Sequence, residues 1–206
     1  MKKLTSISFI IFLTSCATPV VDDIVYEEPI QSDYTKSVTF NESFDDVWDG
    51  VIDYATESFF AISSYEKDSG LMTLSFTSTP ENYVDCGKWI VNGTVNDYVQ
   101  FMRLRPGTSV TLNGIMNLRV VERSEGKTTL TSNARYILNI TNSGFSYDLN
   151  YNRVPYSYSD TWTFDSRSIE RLAISNPAAG TIPFRTCGPT GVAEQAILNG
   201  VSDLLE

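Results

Sequence analysis

The residue pattern predicts an α+β fold: an antiparallel β-sheet packed on an N-terminal amphipathic helix and a C-terminal helix. Three observations carry that expectation. Residues 44–59 place apolar side chains at helical spacing, residues 110–140 alternate apolar and polar about a Ser-Glu-Gly turn, and residues 193–205 return to helical spacing. The 206-residue chain is 42% hydrophobic and 19% charged, enough to bury one core.

The first element is a leader. Lys2 and Lys3 precede an apolar stretch at residues 7–13, too short to span a bilayer but of the length found in a secretory signal. It ends in Leu13-Thr14-Ser15-Cys16. Small residues running directly into a cysteine resemble the lipobox of bacterial lipoproteins. That resemblance implies cleavage before Cys16, acylation of its thiol and new amine, and a membrane reached through those chains. Ala17 stands where the resemblance would place aspartate for inner-membrane retention, so the implied address is the periplasmic face of the outer membrane. The expected division is a signal peptide at 1–15, a lipidated cysteine and acidic flexible tether at 16–35, and a single α+β domain at 36–206. Pro19, Pro29 and five acids without periodicity support the tether. Extended, it would reach about 60 Å at roughly 3.3 Å per residue.

Within the domain, Ser37–Phe40 alternates as a strand does. Ser43 is placed as a helix N-cap, with Asp45 and Asp46 where the helix dipole favours negative charge. Phe44, Val47, Trp48, Val51, Ile52, Ala55 and Phe59 then form one stripe, and acids occupy the opposite face. Phe60 and Ile62 begin a strand, and Lys67-Asp68-Ser69-Gly70 turns it into Met72, Leu74 and Phe76. Residues 89–104 are strand-like, with Gly93 and Asn96-Asp97 as break points. The long hairpin follows, with Gly114 completing its apolar row. Trp162 and Phe164 suggest a last strand. Thr190 is read as the cap of a closing helix whose buried stripe is Ala193, Ile197, Val201, Leu204 and Leu205.

The run of strand, Trp48-bearing helix, Phe59-Phe60-Ala61-Ile62 and Lys67-Asp68-Ser69-Gly70-Leu71-Met72 resembles the helix-grip module of BamC-type (NlpB/DapX) lipoproteins. Those are accessory lipoproteins of the outer-membrane β-barrel assembly machine. The likeness covers residues 36–77, with the lipobox and C-terminal helix added; the family carries two such modules, and this chain has room for one. It implies a periplasmic, non-catalytic module with an envelope protein as partner.

Composition narrows the chemistry. Histidine is absent, which excludes histidine triads, metal sites and proton shuttles. The net charge of -10 repels phosphate backbones, so nucleic acid is not an expected partner. No nucleophile elbow or phosphate loop occurs, and no catalytic residue, metal site or cofactor is expected. Removing Lys2 and Lys3 with the leader takes the net charge to -12, concentrated before residue 69. That acidic front reads either as a docking surface for a basic partner or, better, as a solvated tether. Asn92-Gly93-Thr94 and Asn139-Ile140-Thr141 match the glycosylation sequon, which carries no weight behind a bacterial leader. Cys86 and Cys187 are the thiols left beside Cys16, and in an oxidising compartment an even pair predicts a disulfide.

Residues 141–160 interleave asparagines with Tyr147, Tyr151, Tyr156 and Tyr158. Tyrosine offers rigid amphipathic contact area, as in recognition loops; the other reading is an exposed hairpin whose aromatics cover a sheet face. Two functions follow: an envelope assembly or interaction protein, or a carrier of an apolar ligand between sheet and helix. The dense stripe at residues 44–59 favours a filled core over a cavity.

Overall fold

Alternation across the long hairpin puts Leu112, Met116 and Leu118 on the same side as Leu130, Tyr136 and Leu138, and all six are buried. A computed structural model of the protein shows this side to be the floor of the core. The structure describes residues 24–30, 33–103, 106–166, 170–172 and 185–206. In chain order its elements are β1 (Ile24–Glu27), β2 (Ser37–Phe40), α1 (Phe44–Glu57), β3 (Ala61–Glu66), β4 (Leu71–Ser78), β5 (Val84–Asp85), β6 (Lys88–Val91) and β7 (Thr94–Asp97). There follow α2 (Tyr98–Arg103), β8 (Thr108–Ser124), β9 (Lys127–Tyr147), β10 (Arg153–Asp165), β11 (Glu170–Leu172), β12 (Arg185–Pro189) and α3 (Val192–Leu205).

The main sheet is antiparallel, in the order β10-β9-β8-β4-β3. The free side of β9 is shared in tandem: β2 pairs with residues 128–131 and β10 with residues 135–147. Two smaller antiparallel sheets, β1-β6-β7 and β11-β12-β5, lie beside it. The helices cover the apolar face, and Val47, Trp48 and Val51 of α1 join Ala193, Ile197 and Val201 of α3 in one core. α1 starts where Ser43 Oγ accepts the Asp46 N–H at 3.2 Å. Glycines set the close approaches. A Cβ at Gly114 would run into the Phe76 ring lying across it, and one at Gly200 into the Tyr54 ring where α3 meets α1.

Several expectations change here. α1 ends at Glu57, so Phe59 leaves the helical stripe and is half-exposed, stacking its ring 4.2 Å from that of the buried Phe60. Residues 98–103 are helix rather than strand, because Asp97 Oδ1 accepts the Gln100 N–H at 2.8 Å and caps a turn. Asn92 and Gly93 both take positive φ between β6 and β7, a tight hairpin turn. The N-cap of α3 is Gly191 rather than Thr190; its φ of +80° and the Tyr34 ring packed against it leave no room for a side chain. Leu204 is half-exposed, while Glu194 and Leu198 are buried in its place.

The expected tether does not run to residue 35. β1 pairs in register with β6, from Ile24↔Val91 to Glu27↔Lys88. The Tyr26 hydroxyl donates to Cys86 O at 2.9 Å and accepts the Thr186 N–H at 3.2 Å. Further on, Lys36 Nζ donates to Ser166 O at 2.7 Å and Gln195 Nε2 to Thr35 O at 2.9 Å. The Tyr34 hydroxyl donates to Glu194 at 3.1 Å, and the Tyr136 hydroxyl to the same carboxylate at 2.6 Å. Glu194 is fully buried in the first turn of α3, where the helix dipole favours a carboxylate, and its partners are phenols. Burial and the neighbouring Glu194 charge push both phenols above their ordinary value.

Trp48 is 1% exposed at the centre of the α1 stripe. Trp48→Ala should therefore cost about 3–5 kcal/mol, seen as a lower urea midpoint. Asp53→Ala, on the outer face, should move stability by about 0.5 kcal/mol or less. An unchanged midpoint for Trp48→Ala would place the stripe against solvent.

A phenol whose folded pKa is raised contributes stability below its unfolded pKa, and that stability is lost as pH rises through the folded value. For Tyr136 the loss begins near its ordinary value of 10.0. Above that, stability should fall by about 1.4 kcal/mol per pH unit for each proton withheld. Tyr136→Phe should remove one proton from that slope in alkaline urea titrations, while costing about 1–3 kcal/mol at neutral pH by leaving the carboxylate short of a donor.

Candidate functional site

Main-sheet pairing between β8 and β9 ends at Thr108↔Asn142, yet β9 and β10 continue together from Ser143↔Ser157 to Tyr147↔Arg153. Those five pairs form a two-stranded arm that runs about 17 Å past the end of β8, at roughly 3.4 Å per residue. An isolated ribbon of this kind is marginal in water, and three devices hold it. At the tip, Asp148 Oδ1 accepts the N–H groups of Asn150 and Asn152 at 2.8 Å, and Oδ2 accepts Asn152 Nδ2 at 3.0 Å. The Asn152 bonds, with that from Asn150, hold the Asp148 carboxyl below its usual range. On one face the Arg153 guanidinium lies 3.6 Å from the centre of the Phe145 ring. On the other, the Tyr156 ring lies across Gly144, where a Cβ would crowd it.

The four tyrosines do not form one patch. Strand alternation sends Tyr156 and Tyr158 to the side that, further along β10, carries the buried Trp162 and Phe164. Tyr147 stands on the opposite side with Phe145 and Arg153. Tyr151 sits in the turn with a φ of +61° and is 88% exposed. Tyr158 is tied at the base of the arm: its hydroxyl and Trp162 Nε1 both donate to Asp160 Oδ2 at 2.8 Å, and Thr161 N donates to Oδ1 at 2.9 Å. Burial works to raise the Asp160 carboxyl, but those three bonds outweigh it and leave the group below its usual range. Burial and the bond to Asp160 push the Tyr158 phenol up.

The arm also exposes Leu149 completely, with Phe145 and Val154 partly so. The sequence reading overlooked these apolar residues because the tyrosines stood out; the alternation through residues 143–147 and 153–157 was the available signal. The arm's charges are Asp148 and Arg153, so it is a nearly neutral aromatic projection from an acidic chain. Clusters of this kind mark docking sites, since tyrosine, other aromatics and arginine dominate the energetic centres of interfaces.

Cys86 and Cys187 are both fully buried and joined as a disulfide, bridging 101 residues. Cys187 lies in β12 and Cys86 between β5 and β6, with Tyr26 hydrogen-bonded beside them. Cys16 lies outside the described residues. Among the described residues no three His, Cys, Asp or Glu side chains gather as a metal site requires. Reducing the disulfide should cost about 2–4 kcal/mol, read as a lower urea midpoint. Hydrogen exchange should then speed up in α3 before it does in the hairpin of β8 and β9.

No family model, curated protein or solved structure matches the chain at a significant level, so the geometry of the arm carries the functional assignment.

Proposed function

We propose that the protein is a non-catalytic interaction module of the bacterial envelope that holds a protein partner through the arm of β9 and β10. The observation that carries this reading is the exposed aromatic set on a ribbon whose tip is locked by Asp148. A rigid, nearly neutral projection loses little entropy on docking, and its tyrosines supply the contact area. The leader and Cys16 make the module a lipoprotein, acylated at that cysteine and held at the periplasmic face of the outer membrane, where the buried disulfide suits the oxidising conditions. The reading of it as a helix-grip module of the BamC type rests on the sequence likeness at residues 36–77, and two helices packed on one face of an antiparallel sheet are consistent with that reading. The carrier alternative would need room that is taken by aromatic rings: those of Phe76 and Tyr136 lie 6.1 Å apart between sheet and helices.

The test places a photo-reactive residue at position 151 or, as a control, at position 53 on the outer face of α1. In intact cells, position 151 should give a discrete protein adduct that Tyr147→Ser with Tyr156→Ser removes, and position 53 should give none. Equal adducts from both positions, or none from the arm, would overturn the assignment. Cys16→Ala should abolish acyl labelling; normal labelling of that variant would refute the anchor.

A further inference from the structure

The face of the main sheet turned away from the helices differs in charge from the rest of the molecule. Arg119, Lys127 and Arg135 stand on it, and Arg153 continues it along the arm; its acids are Asp165, opposite Arg135 in register, and Glu66, at the β3 edge in the row of Arg119. The chain as a whole is net -10, and α1, on the opposite side of the sheet, carries five acids and no base. That face therefore carries an excess of bases over acids in a chain that is acidic overall.

The uncharged residues of that surface are arranged as donors. The Thr73, Thr77 and Thr161 hydroxyls donate to the Oδ1 atoms of Asn117, Asn113 and Asn139 at 3.1, 3.0 and 3.1 Å. Each asparagine is thereby held by its carbonyl oxygen, which leaves its amide NH₂ for a ligand. The register places these amides and the two arginines in successive cross-strand rows, in the order Asn139, Asn113, Arg135, Asn117, Arg119. Rows two residues apart are about 6.8 Å apart, so the five donors span about 27 Å. At the arm end of the line, the Phe145 ring is packed against Arg153.

We propose that this open face binds an anionic glycan strand, one bearing carboxylate or phosphate groups along a hydroxylated chain. Guanidinium groups match the anionic substituents, and the intervening amides match the ring and hydroxyl oxygens between them. Charge alone would equally attract nucleic acid, but a groove for single strands needs a series of stacking rings, which the line of amides and arginines lacks. Ile115 and Ile137 also stand on this face, beside Arg135 and Asn113, but amides and guanidinium groups alternate along the line where a protein interface would gather its apolar anchors. The five donors lie on the body of the sheet; only Arg153 and Phe145 are shared with the aromatic arm, and the proposal does not depend on the arm's partner.

The test uses the full chain in detergent and measures binding to polygalacturonate, with uncharged dextran and duplex DNA as comparisons. The parent should bind polygalacturonate in a salt-dependent way, dextran weakly, and DNA at least tenfold more weakly than the carboxylated glycan. Asn113→Ala with Asn117→Ala and Asn139→Ala leaves the charge unchanged and should weaken that binding about tenfold or more. Thr73→Val with Thr77→Val and Thr161→Val keeps the amides but releases their orientation, and should weaken it severalfold. This second set decides the matter if the first lowers the urea midpoint. Absence of binding, DNA bound as tightly as the glycan, or folded variants that bind as the parent does would each overturn the proposal.

Discussion

Strand β9 is longer than the helical layer that covers it, and much of the molecule follows from that mismatch. Its 21 residues extend about 70 Å at roughly 3.3 Å per residue. α1 and α3, with 14 residues each, reach only about 21 Å. The helices sit over the N-terminal two thirds of β9, flanked by β8 on one side and by β2 and then β10 on the other, where Leu130, Ala134, Tyr136 and Leu138 are buried. Beyond Ile140 no described residue of β9 is buried, and the inward-facing positions of the sheet become the exposed face of Tyr156 and Tyr158. The arm is the uncovered remainder of the core strand, and its aromatics stand where core residues would be if the helical layer continued.

Alternation was legible wherever one face of a strand is buried along its whole length. A one-residue slip there would turn every apolar side chain outward, so residues 110–140 could be read without the structure. The start of α1 was legible for a similar reason, since Ser43 and the acids after it act locally. Phe59 was misplaced because the stripe continues past the helix end, and spacing alone does not reveal that the backbone has left helical geometry. The turn at Asn92-Gly93 was the strongest hairpin signal in its region; Gly93 reads there as a break point in one irregular strand, without Asn92 as its partner in a two-residue turn. For residues 98–103 the decisive bond, from Gln100 N to Asp97, was three residues away and followed a recognised break point.

Long-range contacts were not legible. Nothing near Glu194 distinguishes it from a surface acid, because its partners Tyr34 and Tyr136 lie 160 and 58 residues away. The same holds for Tyr26, which reaches Cys86 and Thr186 from a segment whose prolines and acids resemble a linker. Of the candidate site, the tyrosines were visible and their division between two faces and a tip was not. That division depends on the register of β9 with β10, which places Gly144 opposite Tyr156.

Under the proposed anchoring at Cys16, the incorporation of β1 and Tyr34 into the fold would also govern distance from the membrane. With acyl chains on Cys16, seven residues (17–23) connect the lipid to the first residue of β1, a stand-off of at most about 25 Å. That is less than half the reach of a tether running to residue 35. So anchored, the domain would work as a short-leashed body whose first fixed point lies beside the disulfide, and its arm would sweep a narrow shell above the bilayer rather than the depth of the compartment.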